Sequence, residues 1–248
     1  MEGAHNMSQN VIKRLIENKL FEHHYQPIFN LNNKQPAGGE LLLRSKLGNP
    51  EFIFKLAHEN NKLIELDLVL IQSAITTASF SDSPLVFINI FPSTIINPSF
   101  IPFIWGLIKN EEINCSKIVF ELNEAEKVKN IGLLQERIDL LRDFGFLIAC
   151  DDLGKGAMDL TYMLELNVNF IKLDRQFSCN LITSPKKQDL IRAILYFSQL
   201  NEIKIILEGI ENIETYHLAQ ELGVDMGQGF FLGVPEKLNY KLPERLLD

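Results

Sequence analysis

The sequence is poor in the residues that serve several common chemistries. It has three cysteines, Cys115, Cys150 and Cys179, an odd and widely spaced set that fits neither a disulfide framework nor a zinc motif. A reducing compartment, the cytoplasm, is the expected location. The five histidines show no metalloprotease spacing, and no Ser-His-Asp or Cys-His arrangement stands out. No uninterrupted apolar run reaches transmembrane length, so no membrane contact is expected. The opening MEGAHNMSQN lacks the apolar core of a signal peptide. Positive charge is in the minority, with 24 Lys and Arg against 32 Asp and Glu and a net charge of −8. That argues against binding a DNA or RNA polymer. A small nucleotide held through cations stays open, because bound cations reverse the local sign. There is no internal repeat, and no Gly-rich dinucleotide fingerprint follows the first strand.

What the sequence does have is alternation. Residues 1–8 read as a tag or linker remnant and 9–248 as one domain. A helix over Gln9–Asn18 leads to two apolar runs, His24–Phe29 and Gly39–Arg44, parted by Asn32-Asn33-Lys34. These read as an antiparallel hairpin. Helices follow over Glu51–Asn60 and Leu63–Ser79. Strands then take turns with helices: strands Leu85–Ile90, Lys117–Leu122, Phe146–Cys150, Asn169–Leu173, Lys204–Leu207 and Gly229–Leu232, with helices Pro98–Lys109, Ile131–Phe144, Met158–Leu166, Lys186–Leu200 and Ile213–Leu222 between them. The strands are rich in Ile, Val, Leu and Phe, as in parallel sheets covered by helices. About eight strands in this length predict a TIM-like (β/α)8 barrel. The opening hairpin makes one of its strands antiparallel.

Catalytic groups of such barrels lie at the C-terminal ends of the strands. There the sequence places Glu40, Asn89, Glu121, Asp151, Asp152, Lys172 and Glu208. Singly, each reads as a helix cap, a turn residue or half of a structural ion pair. Together they crowd one rim with carboxylates, which stay ionised side by side only when cations neutralise them. Oxygen ligands of this kind suit Mg2+, Mn2+ or Ca2+, and two ions could clamp both oxygens of a phosphodiester.

Eight segments, in order, resemble the EAL domain family of cyclic di-GMP phosphodiesterases, over about Tyr25 to Pro235. They are Tyr25-Gln26-Pro27-Ile28, Gly39-Glu40-Leu41-Leu42-Leu43-Arg44, Phe87-Ile88-Asn89-Ile90, Glu121-Leu122-Asn123-Glu124, Asp151-Asp152-Leu153-Gly154-Lys155-Gly156, Lys172-Leu173-Asp174, Glu208-Gly209-Ile210-Glu211 and Gln228-Gly229-Phe230-Phe231. The resemblance implies metal-dependent hydrolysis of cyclic di-GMP to linear pGpG, with two Mg2+ or Mn2+ ions and Ca2+ inhibitory. It implies that Glu40, Asn89, Glu121 and Asp151 hold one ion, and that Asp151, Asp152 and Glu208 hold the second. Glu208 is also implied as general base and Lys172 as the holder of the attacking water. Glu211 and Gln228 are implied to complete the catalytic set, Gln26, Leu42, Arg44 and Asp152 to contact the dinucleotide, and Glu124 to brace the loop that carries Asp152. A homodimer is implied, as are sensory or cyclase domains in a longer parent protein. The sequence departs from the family at Leu41, where the signature has Ala, and at Leu153, Lys155 and Ala157-Met158-Asp159 in the loop. Those loop changes leave a second reading, a silent domain of the same fold acting as a cyclic di-GMP receptor or protein-interaction module. A third is a barrel enzyme with a Lys base and Mg2+ that abstracts a proton beside a carboxylate.

Overall fold

A computed structural model describes residues 2–110, 113–123, 126, 130–153 and 164–237; side chains are described from Asn10 onward, Asp152 excepted. Its strands are β1 (Glu22–Asn30), β2 (Pro36–Arg44), β3 (Val86–Ile90), β4 (Ile118–Leu122), β5 (Leu147–Leu153), β6 (Phe170–Leu173), β7 (Lys204–Leu207), β8 (Met226–Gln228) and β9 (Glu236–Lys237). Its helices are α1 (Glu2–Glu17), α2 (Pro50–Glu59), α3 (Leu63–Ser79), α4 (Pro92–Ile96), α5 (Phe100–Asn110), α6 (Ile131–Asp143), α7 (Arg175–Ser178), α8 (Pro185–Leu200) and α9 (Ile213–Leu222).

Strands β2 to β8 pair in sequence order, all parallel. β1 closes the barrel, antiparallel to β2 on one edge and to β8 on the other. The hairpin turn is set by Asn30, whose Oδ1 accepts from the N–H groups of Asn32 and Asn33. β9 pairs with β1 beside His24 and Tyr25, outside the closed ring of eight.

Helix starts follow side-chain capping. Asn49, Asn130 and Asn212 accept from Phe52, Leu133 and Thr215 N–H groups, each satisfying a backbone donor that the first turn leaves unpaired. Between the strands and their helices lies the main core, with Ile71, Phe100, Phe120, Ile148, Ile171 and Leu207 fully enclosed. α1, α2 and α3 share a smaller core against Leu43 of β2. Ile28, Phe87, Val119, Ala149, Phe170 and Ile206 fill the barrel interior, where the Phe87 and Phe170 rings meet edge to face at 5.3 Å.

The structure differs from the sequence reading in four places. α1 starts at Glu2, ahead of Gln9. The helix expected over Pro98–Lys109 is preceded by a separate α4, because Asn97 is extended ahead of Pro98. β5 continues past Cys150 to Leu153. The last barrel strand is Met226–Gln228, not Gly229–Leu232, which folds into turns closed by Leu232 and Gly233 N–H bonds to the Gly229 carbonyl. The helix expected over Met158–Leu166 lies, as far as residue 163, outside the described residues. Among the described residues no helix is long and apolar enough to cross a membrane.

Candidate active site

The site follows from strand periodicity. Side chains alternate between faces of a strand, so the residue two beyond an interior apolar one also points inward. Phe87 is followed by Asn89, Val119 by Glu121, Ala149 by Asp151, Phe170 by Lys172, Ile206 by Glu208 and Met226 by Gln228. Glu40 pairs in register with Phe87, and Gln26 pairs with Glu40. An apolar layer therefore carries a polar layer above it, at the C-terminal mouth. β5 adds an irregularity. Cys150 pairs with Ile171 and Leu153 with Leu173, so Asp151 and Asp152 together stand opposite the single Lys172. Such a bulge inserts an extra residue at the strand end.

Lys172 is the centre of the polar layer. It is 1% exposed. Its Nζ lies 2.7 Å from Glu208 Oε1, 3.0 Å from Glu121 Oε1, 3.1 Å from Glu40 Oε2 and 3.1 Å from Asp151 Oδ1. Among the described residues no three acidic, histidine or cysteine side chains surround an open point, because the ammonium stands where they converge. Asn89 Nδ2 donates to Glu40 Oε1 at 2.9 Å and to Glu121 Oε2 at 3.4 Å. Gln228 Nε2 donates to Glu40 Oε2 at 2.9 Å and to Gln26 Oε1 at 3.2 Å. Gln26 Nε2 in turn donates to the Gly233 carbonyl.

Four carboxylates on one ammonium carry a formal charge of −3, and their proton affinities respond. Burial, reinforced by repulsion from Glu40, pushes Glu121 well above the usual carboxylate range. Burial raises Glu208 to about 8 against the opposing pull of Lys172. Burial also works to raise Glu40, but the Lys172 charge and hydrogen bonds from Gln228 and Asn89 outweigh it and hold it low. Burial alone lowers the Lys172 pKa, and the four carboxylates reverse that and raise it well above its ordinary value. Without cations, protons on Glu121 and Glu208 relieve the repulsion.

Gln26, Glu40, Asp151, Lys172, Glu208 and Gln228 line a cleft of about 310 Å3 at the mouth. A second cleft of about 670 Å3 shares Glu40 and includes Leu42, Arg44 and Asn89. Arg44 donates from Nη1 to the Leu43 carbonyl at 2.9 Å. Glu211 lines the smaller cleft as well, at its rim and outside the Lys172 cluster, 3.8 Å from Arg175 Nη2. The Asp152 side chain, Glu124 and Lys155 lie outside the described residues.

The EAL domain profile matches residues 9–235. The chain belongs to the EAL domain family. It is 31% identical over 233 residues to the cyclic di-GMP phosphodiesterase PA2567 of Pseudomonas aeruginosa, covering 90% of this chain and 39% of that protein. It is 27% identical over 234 residues to the signaling protein YkoW of Bacillus subtilis, covering 91% of this chain and 29% of that protein. The chain thus spans less than half the length of these curated relatives. Among solved structures, the cAMP- and cyclic di-GMP-bound form of the EAL enzyme Bd1971 superposes with a TM-score of 0.84 at 26% identity, over 95% of this chain and 67% of that one.

This EAL domain also has mouth residues that the sequence reading passed over. Asp174, Arg175 and Phe230 line the smaller cleft, and Phe230 is 65% exposed. An aromatic left in water beside a polar site offers a stacking face. The available signal was position: Phe230 follows Gln228 by two residues, and Asp174 follows Lys172 by two.

Proposed function

We propose that this EAL domain hydrolyses cyclic di-GMP to linear pGpG, with two divalent cations held among the mouth carboxylates. The observation that carries the reading is the gathering of Glu40, Glu121, Asp151 and Glu208, from separate strand ends, within 3.1 Å of one ammonium. So much buried negative charge is costly unless cations share the site.

The donor set fits the ions. Carboxylate and amide oxygens suit Mg2+ or Mn2+. Glu121 Oε1 and Gln228 Oε1 are buried acceptors with no hydrogen-bond partner among the described residues. Glu121 Oε1 touches Lys172 only as an ion pair, so both oxygens have lone pairs to offer. Glu40, Asn89, Glu121 and Asp151 would hold one ion, and Asp151, Asp152 and Glu208 the second. Asn89 faces the carboxylates through Nδ2, so its amide turns over to present oxygen. Such ions, when bound, supply charge neutralisation at the phosphodiester and acidify a water.

The chain's own groups do the rest. Lys172 has three donors shared among four carboxylates and would hold the attacking water with one of them once the cations engage the carboxylates. Glu208, raised to about 8, is matched to proton transfer near neutral pH. Gln228 and Gln26 fix the orientation of Glu40 and tie it to the Gly233 turn. Arg44 offers a planar fork to phosphate, while Leu42 and Phe230 supply apolar faces to the bases. Glu211 acts through Arg175 at the rim. Glu124 would brace the loop that carries Asp152. A homodimer, sensory or cyclase domains in a longer chain, and a cytoplasmic setting complete the proposal.

The test is incubation of the purified chain with cyclic di-GMP and Mg2+ or Mn2+, with Ca2+ and chelator as controls, following pGpG by chromatography. Metal-dependent pGpG is expected, with no product in Ca2+ or chelator. Binding without product under Mg2+ and Mn2+ would replace this reading with the receptor one.

A further inference from the structure

A third cleft, of about 930 Å3, opens beside the β1–β2 hairpin, lined in part by Lys19, Phe21, Glu22, Arg44, Lys46 and Lys237. Its charge runs against the rest of the chain. Acidic residues outnumber basic ones overall, yet four cations and one carboxylate line this cleft. That carboxylate, Glu22, is engaged by Lys237 and His24. Among the described residues, Lys19 and Lys46 have no acidic partner, and Arg44 spends one donor on a backbone carbonyl. Arg44 and Pro50 line both this cleft and the 670 Å3 cleft, which itself shares Glu40 with the mouth. Shared lining residues thus set the basic pocket, with apolar walls at Leu20, Phe21 and Leu47, beside the 670 Å3 cleft at Arg44, and that cleft beside the carboxylate cluster at Glu40.

We propose that this pocket binds the terminal phosphate of a linear dinucleotide and so retains the product. The proposal rests on the dinucleotide reading above. Opening the ring converts one phosphodiester into a phosphate monoester, which carries close to one extra negative charge at neutral pH. The cyclic substrate has no such terminus. The monoester forms beside the cations proposed for the carboxylate cluster; once it leaves them, the charges of Lys19, Lys46 and Arg44 favour the ring-opened ligand at the basic pocket. Arg44 serves both forms; Lys19 and Lys46 serve the product.

The test compares the chain with a Lys19→Asn, Lys46→Gln double variant. Asn suits the left-handed backbone at Lys19, where φ is 47°, and both sites are exposed, so the fold is kept. Calorimetric titration with pGpG is run in chelator and low salt, because exposed charges are screened by salt. The dinucleotide GpG, which lacks the terminal phosphate, is the control. The variant should bind pGpG about fivefold more weakly, bind GpG as the parent does, and keep the parent KM for cyclic di-GMP within about twofold. Unchanged pGpG affinity overturns the proposal, as does an equal loss for pGpG and GpG. The titration involves no turnover, so a chain that failed to hydrolyse cyclic di-GMP would still report on the pocket.

Discussion

Replacing Lys172 with Met tests the electrostatic account directly. The change keeps the length of the side chain and its apolar stem and removes the ammonium. Four carboxylates, with oxygens now 2.7–3.1 Å from Nζ, would face one another with no internal cation. Removing one partner of a buried ion pair costs about 3–5 kcal/mol. For a chain of this size, each kcal/mol moves the melting temperature by about 2–4 °C. The variant should therefore melt roughly 6–20 °C below the parent in chelator. The loss should grow from pH 6 to pH 9. The raised carboxyls of the folded state hold protons that the unfolded chain has released, so stability falls as pH rises through the folded pKa values.

The same reasoning predicts recovery. A cation at about 100 times its dissociation constant contributes about 2.7 kcal/mol to the folded state. Mn2+ should bind the variant more tightly than the parent, because a competing positive charge is gone. Differential scanning calorimetry of both proteins, in chelator and in saturating Mn2+, measures all of this. Mn2+ should return a large part of the lost stability and no hydrolysis, since the residue proposed to hold the water is missing. A variant that melts within about 2 °C of the parent in chelator refutes the reasoning. So does a variant that gains no more from Mn2+ than the parent gains.

Other expectations follow from single residues. Glu40→Ala should abolish metal-dependent hydrolysis and weaken Mn2+ binding; calorimetric titration with Mn2+ alongside the product assay checks both. Glu208 holds its proton up to about pH 8 without metal, and a ligating carboxylate must be deprotonated. Mn2+ affinity should therefore fall as pH drops from 9 to 6, with proton release on binding visible as a buffer-dependent heat. Asp67, 2% exposed, accepts from Phe91 N–H at 3.0 Å, and burial raises its pKa to about 7. A raised carboxyl contributes stability that is fully present below the unfolded pKa and lost as pH rises through the folded one. Asp67→Asn, which mimics the protonated acid, should match the parent in melting temperature at pH 4 and exceed it at pH 8, with scanning calorimetry as the check. A Cβ at Gly229 would stand 2.3 Å from backbone atoms of Ile210, so Gly229→Ala should displace the turn that carries Phe230 and raise the KM for cyclic di-GMP by about tenfold, the loss expected for about 1.4 kcal/mol of binding.

Much of the fold was legible because its signals are local. Val, Ile, Leu and Phe runs mark the strands, and Asn at positions 49, 130 and 212 marks three helix starts. What sequence could not mark were places where a neighbour sets the geometry. Gly229–Leu232 has strand-like composition, yet it turns, because β8 has already met β1 at Ile28 and Gln228. The extension of β5 to Leu153 depends on its pairing with Leu173, twenty positions on and out of view of any local pattern.

The site divides along the same line. Membership of the polar layer is a matter of parity, so Asn89, Glu121, Lys172 and Glu208 could be listed from strand ends before any coordinates. Order within the layer is a matter of stagger. Glu40 meets Phe87, Glu121 meets Ala149 and Lys172 meets Ile206, and each offset slides one strand along the next. The accumulated slide brings the single lysine to the middle and the four carboxylates around it. Sequence spacing cannot supply this, since Glu40 and Lys172 are 132 positions apart. It also explains why Glu211, three positions after Glu208, reaches only the rim of the cleft: it lies four residues past the end of β7, beyond the layer that the register aligns. A residue's chance of joining this site is thus set by its parity and its distance from the strand end, and its role by the stagger that only the closed barrel defines.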